Sequence, residues 1–410
     1  MKITRREFMA AGGAMAAAYP MVDRKREAWI ERVVLFEGEK GGYKLYRIPG
    51  LVVTGKGTVI AYCEARRSSG DWGSIDILLR RSTDGGRRWE TPRRIAEVEG
   101  RKSRNSVAIE RKQGNPDDLT YNNPVAIVDR QTGAVHFLFC LEYERCFYMR
   151  SDDDGRTFTK PVEITSAFES FRSRYAWRVI ATGPAHGIQL RNGRLVVPVW
   201  LSLGLTGNGH GPSVTSVIYS DDHGRTWQGG ELIGLESPDL ISPNETVAVQ
   251  LTDGRTMLNM RSLSKANRRA ITTSRDGATG WSSPIFHNEL IEPICMASLT
   301  RFSERPGRLL FANPANLTRA DGRETPGGGR DRRNLTIRLS EDEGLTWPVA
   351  RILEAGPSGY SDLAVGRDGT ILCFYESNSP VNPGSYSAQL TIARFNIEWL
   401  TADRTTLKPA

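Results

Sequence analysis

Three side chains able to move a proton or attack a carbon stand in turn-rich stretches of this sequence: Asp71, Glu245 and Tyr360. Asp71 lies in Glu64-Ala65-Arg66-Arg67-Ser68-Ser69-Gly70-Asp71-Trp72, where an apolar run gives way to a Gly/Ser-rich loop. Loops of that kind are where functional residues concentrate. Asp76 competes with it, but falls inside the strand-like run from Ile75 to Leu79, so Asp71 is preferred. Glu245 is flanked by Asn244 and Thr246, and Arg261 follows sixteen residues later, closing Met257-Leu-Asn-Met-Arg. Strand alternation puts Asn259 and Arg261 on one face. Tyr360 sits in Ser358-Gly359-Tyr360-Ser361-Asp362-Leu363.

Arginines accompany these groups. Arg47 belongs to Tyr46-Arg47-Ile48-Pro49, Arg66 precedes Asp71, and Arg332-Arg333 leads into an apolar strand. A guanidinium is a planar fork matched to a carboxylate. Of Arg332 and Arg333, alternation lets only one face a common site. Each feature also has a bland counterpart. Arg47 reads equally as a surface arginine before a strand-starting proline, Glu245 with Arg261 as a structural ion pair, and Tyr360 as a packing residue. Thr182-Gly183-Pro184-Ala185-His186-Gly187 reads as a turn-rich lead-in to a strand, with His186 and Trp177 as candidates to line a pocket.

The elements that must position these residues are short β-rich runs. Examples are Gly57 to Cys63, Ala134 to Cys140, Gly193 to Trp200, Gly254 to Met260, Arg308 to Ala312 and Gly369 to Tyr375. Most follow a glycine-containing turn, which is hairpin chemistry. Helical periodicity is scarce. An octapeptide Ser-x-Asp-x-Gly-x-Thr-Trp recurs, most fully from Ser220 to Trp227. Copies starting at 82, 151, 220, 274 and 340 give steps of 69, 69, 54 and 66 residues, and the copy at 274 has Ala278 at the glycine position. A period of that length fits one four-stranded blade with generous loops. The expected fold is all-β: a six-bladed β-propeller of four-stranded antiparallel blades over residues 28–403. Within each octapeptide the Asp accepts backbone N–H bonds across a turn, the Gly supplies permissive dihedrals, and the Trp wedges under the hairpin.

The octapeptide is identified as the Asp box of BNR repeats, and the chain resembles the bacterial exo-α-sialidases (neuraminidases). The resemblance covers nearly the whole chain after residue 28 and rests on motifs in one order: Arg47-Ile48-Pro49, Arg66 to Asp71, Gly183 to Gly187 with Ala185 in place of a common glycine, Glu245 with Arg261, Arg332 before its strand, and Tyr360. It implies that Tyr360 is the nucleophile, Glu245 its base and Asp71 the acid/base. It implies that Arg47, Arg261 and Arg332 clamp the substrate carboxylate, with Arg66 and Glu376 in support. The family spacing selects Arg332, while the adjacent Arg333 keeps that choice open.

A tyrosine nucleophile is a documented exception to the usual two-carboxylate scheme of glycosidases. Sialic acid carries a carboxylate on the carbon to be attacked, so an anionic nucleophile meets repulsion that a neutral phenol avoids. With an unperturbed pKa near ~10, the phenol needs a base. The expected activity is retaining hydrolysis of terminal sialic acid from glycoconjugates through a Tyr-linked intermediate. Two relatives of that reaction fit the same motifs: hydrolysis of a related nonulosonic or ulosonic acid glycoside, and trans-sialidase transfer. A non-catalytic carbohydrate-binding propeller is the reading of another class. It needs only the arginines, and the presence of Tyr360, Glu245 and Asp71 together argues against it.

Composition narrows the classes further. The chain has 410 residues, 39% hydrophobic and 25% charged, with net charge +8 and no long run of like charge. That describes a mixed solvated surface rather than a nucleic-acid binder. The five cysteines (63, 140, 146, 295 and 373) have no metal-ligand spacing, and no HExxH occurs, so no metal or cofactor is expected. Cys140 and Cys146 are near enough in sequence to meet. Residues 1–20 combine Thr4-Arg5-Arg6-Glu7-Phe8-Met9 with an Ala/Gly-rich run, the pattern of a twin-arginine export signal. No later segment has the length of a membrane span. The mature protein is therefore expected to be exported, to the periplasm or beyond.

Overall fold

The computed structural model describes residues 27–402 except 101, 320 and 323–328, so the candidate export signal lies outside the described residues. The fold is all-β. Helix is confined, among the described residues, to three short pieces: Ser106–Glu110, Thr165–Phe171 and Ile397–Thr401. No described helix is long and apolar enough to cross a membrane.

Among the described residues, five hydrogen-bonded sheets follow one another along the chain. The first joins Leu45–Val53, Val59–Arg66, Ile75–Ser82 and Arg93–Arg94 in antiparallel order. The second joins Tyr121–Val128, Val135–Leu141, Arg145–Ser151 and Val162–Glu163, with Ala185–His186 added in parallel to its first strand. The third is built from Val179–Thr182, Leu195–Ser202, Ser213–Ser220 and Gln228–Gly229, with Ile188–Gln189 also paired to Leu195–Ser202. The fourth holds Thr246–Gln250, Thr256–Met260, Arg268–Ser274 and Ile285–Ile291. The fifth has seven strands. Its pivot is the 17-residue strand Val349–Val365, whose first part pairs with Arg333–Ser340 and whose second part pairs with Ile371–Ser377. At its far edge the N-terminal strand Ile30–Glu37 pairs antiparallel with Gln389–Phe395.

Each of the six runs singled out in the sequence is the second strand of a four-strand set. Val59–Arg66, Val135–Leu141, Leu195–Ser202 and Ile371–Ser377 are buried at every position. They are mostly apolar, with buried polar residues such as Glu64, His136 and Glu376 among them, because both faces are covered by neighbouring sheets. The apolar clusters show the order of that covering. Tyr62 and Ile77 of the first sheet pack with Ala126 and Phe137 of the second. Leu138 of the second packs with Val197 and Ile218 of the third. Val196 of the third packs with Leu258 of the fourth, and Val249 of the fourth with Leu299 and Phe311. Within the seven-stranded sheet Ile337 packs with Cys373. Leu372 and Phe374 then return to Leu51 and Ala61 of the first sheet. All five cysteine thiols are free and buried, as small hydrophobes are, and Cys140 faces Cys146 across one ladder.

Every octapeptide begins at the last residue of a strand: Ser82, Ser151, Ser220, Ser274 and Ser340. In the copy at 220, Ser220 Oγ donates to Asp222 Oδ1 (2.8 Å) and accepts from the Gly224 amide (2.8 Å), and Asp222 accepts from both the amide and hydroxyl of Thr226 (2.9 and 2.7 Å). The expected turn chemistry is therefore present. The copy at 274 corrects one reading. Its glycine is not replaced by Ala278 but stands one position early: the Gly277 amide bonds Ser274 Oγ (3.1 Å), and Thr279 takes the place of the box threonine on Asp276.

Candidate active site

Arg47 enters the site through a break in its strand. The ladder register shifts between Arg47 and Gly50, and Ile48 sits at φ 58°, a costly conformation for a β-branched residue. Glu376, fully buried, anchors this distortion. Its Oε1 accepts from Arg47 Nε (2.9 Å) and the Ile48 amide (3.2 Å), and its Oε2 accepts from Arg47 Nη2 (3.3 Å) and the Tyr360 amide (3.0 Å).

Tyr360 is 5% exposed, in the second part of the long strand. Its hydroxyl donates to Glu245 Oε1 and accepts from Arg261 Nη1 at 2.7 Å. Arg261 Nη1 also donates to Glu245 Oε2. The sixteen-residue spacing is a hairpin. The Arg261 amide bonds the Glu245 carbonyl (3.0 Å), the Asn244 amide bonds the Arg261 carbonyl (3.1 Å), and the acid and the guanidinium stand opposite one another. Burial pushes the Tyr360 phenol well above its ordinary value, with Glu245 adding to the effect and Arg261, Arg332 and Arg47 opposing it. The hydroxyl therefore stays protonated until a base removes the proton.

Arg332 and Arg333 separate as alternation requires. Arg333 is exposed. The Arg332 guanidinium lies 5.1 Å from the centre of the Tyr360 ring and 5.0 Å from that of Tyr386, and Arg47 stands against the same two rings at 5.0 and 5.6 Å. Such distances fall within cation–π reach.

Asp71 closes the far side of the cavity, with its side chain 40% exposed. Its Oδ1 lies 2.7 Å from Arg66 Nη1 and 3.9 Å from Arg47 Nη1. Arg66 is itself fixed by Glu64, whose Oε2 accepts from Nε and Nη2 at 2.9 and 2.5 Å. Burial acts to raise the Asp71 carboxyl, but Arg66, then His210 and Arg47, outweigh it and hold the group well below the usual carboxylate range. Asp76 points elsewhere, to the Tyr43 hydroxyl (2.7 Å) and Arg67 (3.1 Å).

These residues line one cavity of about 330 Å³, which brings together Arg47, Arg66, Asp71, Glu245, Arg261, Arg332 and Tyr360. Glu376 lies beneath it. Two pocket expectations fail. Trp177 is in the core between the second and third sheets, its indole N–H bonded to the Phe168 carbonyl (3.0 Å). His186 bonds Asp362 (2.8 Å) and lines a different, larger cavity of about 400 Å³. Asn259, placed by alternation on the same face as Arg261, does not reach the site, since its amide oxygen accepts from Arg269 (2.6 Å). Sequence reasoning missed Tyr386, Tyr143, Trp200 and His210, all of which line the site cavity. Tyr386 and His210 stand in Gly/Ser-rich loops of the same character as the one holding Asp71, and that signal applied there also.

A family model described as BNR repeat-like domain matches residues 102–373. A sialidase of Micromonospora viridifaciens is 31% identical over 392 residues, covering 88% of this chain and 52% of that protein. A sialidase of Bacteroides fragilis (strain YCH46) is 28% identical over 365 residues, covering 81% of this chain and 60% of that protein. The chain thus spans between half and three-fifths of the length of these curated relatives. Among solved structures, a Hadza microbial sialidase superposes with a TM-score of 0.70 at 26% identity, over 90% of this chain and 69% of that one. Repeat, fold and sequence agree: the chain belongs to the sialidase (neuraminidase) family with BNR repeat-like domains.

Proposed function

We propose that this chain is a retaining exo-α-sialidase that removes terminal sialic acid from glycoconjugates, built as a six-bladed ring over residues 28–403. The observation that carries the reading is the Tyr360 hydroxyl held between Glu245 and Arg261. In this reading Arg47, Arg261 and Arg332 receive the substrate carboxylate and orient the sugar ring. Glu245 takes the Tyr360 proton as the phenolic oxygen bonds to the anomeric carbon, and the glycosidic bond breaks. Asp71 gives its proton to the departing oxygen, then draws one from the water that releases the sugar. Two displacements at one carbon return the original configuration.

Asp71 is ionised in the free site, and its role needs a proton. The substrate supplies the change. Arg47 is paired with Glu376, Arg66 with Glu64 and Asp71, and Arg261 with Glu245, while Arg332 adds a fourth positive charge, so four guanidiniums meet four carboxylates before an anion enters. An added carboxylate weakens the positive field on Asp71 and raises its proton affinity.

The ring is supported by the cyclic order of the apolar interfaces, in which the last strands return to the first sheet. It is also supported by the larger cavity, to which Leu51, Ile127, Ile188, Ala248, Thr300 and Leu363 contribute from all five sheets. The seven-stranded sheet counts as two blades sharing the strand Val349–Val365. The arginine pair and Ala-rich run at residues 1–20 support export.

Turnover of a fluorogenic sialoside tests the activity, with the α-anomer expected as first product by NMR. Tyr360→Phe and Asp71→Ala are expected to abolish most of it. Wild-type protein that binds sialic acid without turnover sinks the enzyme reading.

A further inference from the structure

The three guanidiniums beside Tyr360 are held in different ways. Arg47 is paired with Glu376, and Arg261 with Glu245. Arg332 has no such carboxylate partner among the described residues, which leaves its charge for a ligand. Its Nη2 donates instead to the carbonyl of Ile294 (3.1 Å). Ile294 stands at φ 62°, a region that a β-branched residue seldom adopts unaided. The direction of this carbonyl is therefore imposed by its surroundings.

What imposes it lies one layer below the cavity. Arg269 and Glu292 form an ion pair with 0% and 1% side-chain exposure, Nη1 to Oε2 at 2.5 Å. The pair brackets Ile294. Glu292 Oε1 accepts from the Cys295 amide (2.9 Å), and Arg269 Nη1 reaches the Cys295 carbonyl (3.3 Å). On its other side Arg269 binds Asn259 twice, Nε to the side-chain oxygen (2.6 Å) and Nη2 to the main-chain carbonyl (3.0 Å). Asn259 is two residues before Arg261 on the same hairpin arm. One buried pair thus ties the turn that holds Arg332 to the strand that carries Arg261.

We propose that Arg269 and Glu292 are positioning residues that set the separation of Arg261 and Arg332, and so the fit of the clamp to a substrate carboxylate. The assignment of Arg332 to that clamp rests on the sialidase reading above. A buried ion pair is weak evidence for stability as such, because well-packed apolar residues serve a core as well or better. Here the remaining polar atoms of the pair are spent on Asn259, two residues before Arg261, and on Cys295, next to the carbonyl that holds Arg332.

Removing one partner, as in Glu292→Gln, strands a buried charge and risks the fold. The test is the double variant Arg269→Met/Glu292→Leu, which replaces the pair by apolar volume. Glu292→Asp is a second route, keeping both charges while withdrawing the carboxylate from the Cys295 amide. With a fluorogenic sialoside, both are expected to raise KM about tenfold while kcat changes about threefold or less, as displacement of a binding group by a fraction of an ångström would. A crystal structure of the double variant is expected to show the Arg332–Ile294 bond broken. Unchanged KM in folded protein, or Arg332 still seated on Ile294, overturns the proposal. If wild type turns over no sialoside, the sialidase reading falls, while the position of Arg332 in the variant still decides this one.

Discussion

The hydroxyl of Tyr360 is hydrogen-bonded to the carboxylate of Glu245, 115 positions earlier in the chain. Among the described residues that hydroxyl donates to Glu245 alone. Arg261 donates to the same oxygen, and burial holds the phenol far from ionising on its own. Glu245→Gln keeps the shape and removes the base, so kcat is expected to fall about 10²- to 10⁴-fold, the usual worth of a general base. Steady-state kinetics on the fluorogenic sialoside reads this directly. A fall smaller than tenfold would mean that another group takes the proton.

Glu376 presents a different case, because it is fully buried outside the cavity lining yet serves two elements. It holds Arg47 and the Tyr360 amide on one buried carboxylate. Glu376→Gln leaves Arg47 without its counter-charge, a change expected to cost about 3–5 kcal/mol of stability. In the folded fraction kcat/KM should fall as well, since Arg47 and Tyr360 both lose their anchor. Thermal denaturation alongside active-site-normalised kinetics separates the two effects. An unchanged Tm would remove the anchoring role.

The legible part of this molecule was whatever depends on neighbours in sequence. Box turns and Gly-started strands are local, and the spacing carried them; the sixteen-residue interval between Glu245 and Arg261 was readable, but the hairpin that sets them opposite one another was not. Strand alternation and the family spacing favoured Arg332 and left Arg333 open; the two part only in the structure, where Arg333 is exposed and Arg332 lines the cavity. The failures are contacts across long separations. Nothing around His186 says that it meets Asp362, 176 residues away. Alternation put Asn259 and Arg261 on one face, but a face does not say which neighbour takes a side chain, and Asn259 goes to Arg269. Arg269 and Glu292 were invisible for the same reason. Blade count is a related case: six strand sets were readable, but a strand long enough to serve two of them makes five sheets.

The boxes themselves should be separable from chemistry. Arg332 stands at one end of its strand and the box at Ser340 begins at the other, roughly 26 Å away along an extended chain. Trp227 packs in the core between the second and third sheets, 8% exposed. Trp227→Ala is expected to destabilise the fold by about 3–5 kcal/mol, as large core truncations do. KM measured on the remaining folded protein should stay within about twofold of wild type. A large rise in KM without loss of stability would place the box in the binding machinery.

Acid should destabilise the fold through a histidine far from the candidate site residues in sequence. His136 is fully buried, with Nδ1 on the Tyr148 hydroxyl (2.8 Å) and Nε2 3.6 Å from Asp129 Oδ2, an oxygen already held by His223 at 2.7 Å. Burial pushes the imidazole down to about 4; Asp129 opposes the shift, and Arg150 and His223 add to it. A folded-state value below the unfolded one means that the unfolded chain binds the proton first. Stability from this group is complete above pH ~6.5 and is lost as pH falls toward 4. Between pH 7 and 4.5 the loss should be about 2 kcal/mol. His136→Leu removes the titrating group, so its denaturation midpoint should be less sensitive to pH over that interval than the wild-type midpoint. Equal slopes for the two proteins would show that His136 takes up no proton on unfolding.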